Sequence, residues 1–106
     1  MPFVKVGSLR ELPPGSVLEA NFGDDSYAVC NLGGEIHALG GICPHAGGPL
    51  GQGMVHDNML VCPWHSYEYD IRSGENDEDS DMKVGKFSVR VEGGDILIDI
   101  PRAGTA

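Results

Sequence analysis

Residues 87–100 read FSVRVEGGDILIDI, the most regular stretch of the chain and the one that decides its fold class. Apolar side chains occupy alternate positions on both sides of the Gly93-Gly94 pair, as Phe87 and Ile96 do within their runs. A period of two indicates β-strands, and the glycine pair indicates a tight turn between them. Because each strand has one apolar face, further strands must cover that face. The stretch therefore predicts an antiparallel hairpin within an all-β fold.

The N-terminal part of the chain continues this pattern. Strands are predicted at residues 3–6, 16–22, 26–32 and 35–39, with Gly33-Gly34 as a second hairpin turn. A single helical turn is predicted at residues 8–12, where Ser8 and Glu11 have the spacing of a capping box and Pro13 follows. Of the three cysteines, Cys30 lies inside a predicted strand, so we expect a small buried side chain.

The middle of the chain has a different composition. Residues 40–53 are too rich in glycine and proline to form a helix or a strand, so a rigid loop is expected there. This loop contains Cys43-Pro44-His45, and sixteen residues later a predicted strand at residues 59–61 leads into Cys62-Pro63-Trp64-His65. Each loop thus offers one thiol and one imidazole, the two side chains that bind soft and borderline metals.

Three bound groups are compatible with two cysteines and two histidines. A structural zinc ion accepts this set, although zinc sites more often group the two cysteines in one knuckle. A mononuclear catalytic metal more often uses histidine and carboxylate ligands. The remaining group is a [2Fe–2S] cluster with two cysteines on one iron and two histidines on the other. The residues alone therefore do not exclude a structural zinc site.

The charge of the chain argues against polyanionic partners. Sixteen acidic residues and seven basic ones give a formal net charge of −9, which disfavours nucleic acid and anionic membrane surfaces. Residues 75–81 hold five of the carboxylates and are either a solvated loop or a docking edge for a basic partner. With no apolar run near the roughly 20 residues of a membrane span and no secretory signal pattern, a cytoplasmic protein is expected.

The two loops closely resemble the ligand pattern of the Rieske family, Cys-x-His followed at this distance by Cys-x-x-His. Cys43, His45, Cys62 and His65 match all four ligand positions, and the flanking strands extend the resemblance over nearly the whole chain. The resemblance implies a single Rieske domain of residues 1–106. An antiparallel β-sandwich base, residues 1–39 and 74–106, would carry an inserted cluster-binding subdomain of two loops at about residues 40–73.

The resemblance also implies roles around one [2Fe–2S] cluster. Cys43 and Cys62 would bind the buried iron, and His45 and His65 the outer one. Tyr69 matches a tyrosine that bonds to a ligand cysteine in family members of respiratory complexes. Gly48 and Trp64 stand at the positions of the two cysteines that form a disulfide in those members, so no such bridge can form here. Trp64 is a second expected neighbour of the cluster. Those members have a serine that bonds to the cluster, and this chain has Tyr67 at that position. The difference implies a low reduction potential.

The function implied is one-electron transfer rather than catalysis. A Rieske ferredoxin would accept electrons from an NAD(P)H-dependent flavin reductase and pass them to a terminal oxygenase, as in dioxygenase systems of the family. The chain is too short to include the mononuclear iron domain of such an oxygenase. The alternatives are a small Rieske-like subunit of a nitrite reductase or other oxidoreductase complex, and a zinc-stabilised binding module.

Overall fold

Antiparallel strands joined by short turns make up the computed structural model, which describes residues 3–22, 25–43, 47–64, 67–76 and 82–100. The strands are β1 (Phe3–Ser8), β2 (Val17–Phe22), β3 (Asp25–Leu32), β4 (Glu35–Gly40), β5 (Met54–His56), β6 (Met59–Val61), β7 (Glu68–Asp70), β8 (Lys86–Phe87), β9 (Val89–Glu92) and β10 (Asp95–Asp99). They form three sheets in the orders β1-β10-β9, β2-β3-β4-β8 and β5-β6-β7. The prediction of an all-β antiparallel fold is confirmed.

The hairpin of β9 and β10 forms as its alternating pattern predicts. Ile96 lies opposite Val91, and the backbone of Gly93 and Gly94 has φ values of 58° and 88°. Glycine adopts these left-handed conformations without a steric penalty. The prediction of an uninterrupted first strand is wrong, because Phe87 pairs with Ala38 in the neighbouring sheet. Alternation reports which face of a strand is apolar and does not report which strand pairs with it.

The four-stranded sheet is the middle layer of the protein. One face, which includes Val29 and Ala38, packs with Ile96 and other residues of the β1-β10-β9 sheet. The opposite face, which includes Ala28, packs with Leu60 and other residues of the β5-β6-β7 sheet. The apolar residues of β3 therefore serve both layers, as expected for a strand that is buried on both faces.

Two contacts join the third sheet and its loops to the middle sheet. A 3-10 turn, Leu50–Gln52, lies against β2, and the Gln52 side-chain amide donates a hydrogen bond of 3.3 Å to the Glu19 carboxylate. The expectation of no helical structure in residues 40–53 is therefore wrong for this turn. On the other side, the Lys86 ammonium on β8 donates to the backbone carbonyl of Ile71 at 2.6 Å and to Nδ1 of His37 at 3.2 Å.

The remaining local predictions have mixed outcomes. The helical turn near the N-terminus forms as the 3-10 turn Leu9–Glu11, with the Glu11 carboxylate accepting from the Ser8 backbone N–H at 3.1 Å. The short strands β5 and β7 were not predicted, because three residues carry too little pattern.

Within the ranges that the structure describes, no helix is long and apolar enough to cross a membrane.

Gly51 allows the Leu50–Gln52 turn to touch β2, so we expect Gly51→Ala to lower the free energy of unfolding by about 1–3 kcal/mol. A Cβ at this position would lie 2.6 Å from Cβ and 2.8 Å from Cα of Glu19. Urea denaturation of the metal-loaded protein measures the loss. Gly85→Ala is the matched control, since its Cβ would meet nothing closer than 3.5 Å. An equal loss in both variants would contradict this explanation.

Candidate metal centre

Two short loops hold the Cys43 and Cys62 side chains, and each loop is closed by backbone hydrogen bonds. Cys43 N–H donates to the Gly48 carbonyl at 2.9 Å, and the Cys43 carbonyl accepts from Gly47 N–H at 2.8 Å. Cys62 directly follows β6, and its N–H donates to the Tyr67 carbonyl at 2.7 Å. These bonds fix the backbone of both cysteines before any metal binds.

The Cys43 and Cys62 thiols meet each other inside the protein. Both side chains are buried, neither forms a disulfide, and the two thiols share a hydrogen bond. Burial raises the pKa of the Cys62 thiol, and the neighbouring Cys43 raises it further, while the hydrogen bond from Trp64 N–H lowers it. The Cys62 thiol therefore resists ionisation, and a bound cation would favour its thiolate form.

Each sulfur also contacts a hydrogen-bonding group from the surrounding chain. The Tyr69 hydroxyl, on β7 and fully buried, lies 3.1 Å from Cys43 Sγ. The backbone N–H of Trp64 donates to Cys62 Sγ at 3.4 Å. Tyr69 and Trp64, the two expected neighbours of the cluster, thus each contact one cysteine sulfur. Trp64 acts on the sulfur through its backbone, while its side chain is 49% exposed.

Gly48 is a site residue whose role was not predicted from the sequence. A Cβ at Gly48 would lie 2.8 Å from Cys62 Sγ and 3.1 Å from the Trp64 ring. Only glycine allows the first loop to approach the second this closely. The resemblance had matched Gly48 to a cysteine of the disulfide that joins the two loops in other members, but it assigned no role to the glycine itself.

The two histidines predicted as ligands, His45 and His65, lie outside the described residues. Within the ranges that the structure describes, no group of three or more His, Cys, Asp or Glu side chains converges as a metal site. His37, on β4, forms hydrogen bonds with Lys86 and Glu35. The side chain of His56 is 70% exposed. His56 ends β5, and Asp57, with φ of 55°, begins the turn that follows.

The third cysteine lies in a chemically different environment. Cys30 is fully buried in β3, as expected, and desolvation raises the pKa of its thiol to about 12 despite the nearby Lys86 ammonium. It therefore stays protonated at neutral pH and is inert as a nucleophile or ligand. Cys30 thus shares the core cluster of Cys43 and Cys62 but is held by a strand rather than by one of the two loops.

The surface beside the pair is apolar and open. A pocket of about 330 Å³ is lined by Gln52, Gly53, Met54, Val61, Cys62 and Pro63. Met54, 62% exposed, stands at its edge, and Ile42 in the first loop is 55% exposed. Exposed apolar side chains next to a redox or metal site are typical of small transient interfaces.

The described half of the site fits the soft-metal chemistry of an iron–sulfur cluster. It supplies two thiols at one place, a rigid backbone around them and hydrogen-bond donors directed at the sulfurs. Thiolates with such donors are the usual environment of iron–sulfur clusters, whose potentials depend on hydrogen bonds to sulfur.

Comparisons with known proteins agree with this chemistry. The chain is 32% identical over 101 residues to the ferredoxin component of biphenyl 2,3-dioxygenase of Rhodococcus jostii, covering 94% of each chain. It is 28% identical over 108 residues to the ferredoxin component of the alkene monooxygenase system of Xanthobacter autotrophicus, covering 98% of this chain and 88% of that one.

Solved structures and the family comparison lead to the same group of proteins. The ferredoxin of carbazole 1,9a-dioxygenase from Nocardioides aromaticivorans superposes with a TM-score of 0.82 at 28% identity, over 92% of this chain and 97% of that one. Residues 2–97 match the family model described as the Rieske [2Fe-2S] domain. The chain therefore belongs to the Rieske family, whose members carry one [2Fe–2S] cluster.

Proposed function

We propose that this protein is a ferredoxin that takes single electrons from an NAD(P)H-dependent flavin reductase and delivers them to a terminal oxygenase. The observation that carries the proposal is the buried pair of thiols, Cys43 and Cys62, each with a hydrogen-bonding group on its sulfur. Two relatives that the chain covers almost completely are ferredoxin components of oxygenase systems. Their different substrates support the carrier role without indicating a substrate for this system. The cytoplasmic location stays a prediction.

We propose Cys43, His45, Cys62 and His65 as the cluster ligands. The cysteines would bind the inner iron and the histidines the outer iron, in a subdomain of about residues 40–73 on a base of residues 1–39 and 74–106. The third sheet, β5-β6-β7, falls within that range. When bound, the cluster accepts and returns one electron at potentials of roughly −150 to +300 mV in Rieske proteins.

The protein's own groups favour the more negative charge state of the site. The Trp64 backbone N–H places a positive dipole end on Cys62 Sγ, and the Tyr69 hydroxyl can do the same for Cys43 Sγ. Tyr67 stands where high-potential family members have a hydrogen-bonding serine. The two donors raise the potential, but the serine is absent, and we propose on that ground a potential in the lower part of the Rieske range.

Partner proteins would dock on the exposed apolar surface formed by Ile42, Met54 and Trp64. These side chains lie on or beside the two loops, so a partner seated there would approach the site at short range. The chain's formal charge of −9 would steer a partner with a basic face and speed the encounter at low salt.

Metal analysis provides the first test. The aerobically purified protein should be red-brown, with two iron and two sulfide per chain, and should take up one electron in a potentiometric titration. Cys43→Ala and Cys62→Ala should lose the iron, because each removes a thiolate ligand. Cys30→Ala is the matched control and should keep it. A colourless protein with one zinc ion would contradict the proposal.

The role of the outer ligands can be tested by exchanging His65 for cysteine. Thiolate donates more charge than imidazole, and all-cysteine plant-type clusters lie near about −400 mV, so His65→Cys should lower the potential. Redox titration followed by EPR measures the shift. His56→Cys places the same thiol on exposed β5 and should leave the potential unchanged. A potential that stays level or rises in His65→Cys would exclude His65 as an iron ligand.

Removing the hydroxyl of Tyr69 should also lower the potential. Tyr69→Phe deletes the donor that lies 3.1 Å from Cys43 Sγ and leaves the ring in the core. Hydrogen bonds to charged groups contribute roughly 1.5–3 kcal/mol, so the reduction equilibrium should fall by roughly ten-fold or more. Tyr27→Phe removes a hydroxyl from the opposite core cluster and should leave the potential unchanged. Equal potentials in the wild type and Tyr69→Phe would show that this contact does not act on the site.

A further inference from the structure

We infer that Met82 tunes the reduction potential of the site by competing with Cys43 for the hydroxyl proton of Tyr69. The inference rests on the proposed ligation of the cluster by Cys43. Met82 acts through the Tyr69 hydroxyl and is therefore a positioning residue.

The geometry places one hydroxyl between two sulfur atoms. The Tyr69 hydroxyl oxygen lies 3.1 Å from Cys43 Sγ and 3.4 Å from Met82 Sδ. A thioether has no proton, so a hydrogen bond between Tyr69 and Met82 can only be a donation by the tyrosine. A phenol has one proton, and every donation to Met82 is one that Cys43 does not receive.

The protonation state of Cys43 decides whether this competition matters. As a thiol, Cys43 can donate its own proton to the Tyr69 oxygen, and the tyrosine can then donate to Met82 without conflict. As a thiolate ligand, Cys43 has only lone pairs to offer. The Tyr69 proton is then contested between an anionic sulfur and a neutral one, and the neutral sulfur is the weaker acceptor.

Backbone hydrogen bonds hold Met82 in this place. The Met82 carbonyl accepts from Asn76 N–H at 2.9 Å, and Asn76 itself pairs with Tyr69 in an isolated β-bridge. Val84 N–H donates to the Gly74 carbonyl at 2.8 Å, two residues further along. The Met82 side chain is half-buried against the core cluster that contains Cys43, Cys62 and Tyr69. The packing of the segment that follows the third sheet thus holds Met82 Sδ against the Tyr69 hydroxyl.

The direction of the effect follows from charge. The Tyr69 hydroxyl stabilises negative charge on Cys43 Sγ only while it donates to that atom. Leucine has nearly the volume of methionine and no acceptor atom. Met82→Leu should therefore leave the proton to Cys43 and make electron uptake more favourable.

The experiment compares Met82→Leu with wild type, both as the full chain loaded with two iron and two sulfide. The equilibrium constant for reduction should rise by up to about twofold, or about 18 mV for one electron, because the weaker acceptor holds the proton for less than half of the time. Met59→Leu, a half-buried methionine on β6, is the matched control and should not change it. Met82→Ile gives a second variant without an acceptor if the leucine variant does not fold. A potential that is unchanged or lower in the Met82 variants overturns the inference.

A double-mutant cycle distinguishes this route from a packing effect. In a Tyr69→Phe background there is no proton to contest, so adding Met82→Leu should leave the potential unchanged. A shift of the same size in both backgrounds would mean that Met82 acts without Tyr69, and the inference would be wrong. A chain without an iron–sulfur cluster overturns both this inference and the proposed function. A 2:2 cluster with no response to Met82 overturns the inference alone.

Discussion

Two buried thiols in contact are the constraint on which the rest of the structure depends. Removing the Cys62 thiol from water disfavours its charged form, and the neighbouring Cys43 disfavours that form further. The pair becomes a strong ligand set only when a cation offsets that cost. Protein stability and metal binding are therefore expected to be coupled.

The two halves of the site come from distant parts of the chain and meet because three sheets stack. The middle sheet contributes Ala28 and Leu39 to the apolar core cluster that includes both cysteines. The third sheet supplies Tyr69 from the other side. Gly48 then removes the side chain that would hold the two loops apart. A change at any of these layers would move one sulfur relative to the other.

The donors on the two sulfurs differ in how they respond to mutation. Trp64 acts through a backbone N–H, which any residue other than proline supplies, so its side chain is available to the surface. Tyr69 acts through its side chain, and its hydroxyl is shared with Met82. Variation at position 64 is thus expected to alter partner contacts, while variation at positions 69 and 82 acts on the electron affinity of the site.

The sequence by itself determined the all-β class, most of the longer strands and the separation of Cys30 from the other cysteines. Alternating apolar residues and glycine turns are local signals, and they were sufficient for β9 and β10. The spacing of Cys43 and Cys62, with a histidine near each, was enough for the family resemblance. These are properties of neighbouring residues and need no knowledge of the tertiary structure.

Only the tertiary structure decided which groups surround the sulfurs. Phe87 joined a different sheet from Val89, because strand pairing depends on long-range partners that alternation does not encode. Gly48 and Met82 are ordinary residues in the sequence. Their roles arise from close approach between segments that lie far apart in the chain, since a contact of a few ångströms is set by the packing of whole sheets rather than by any local pattern.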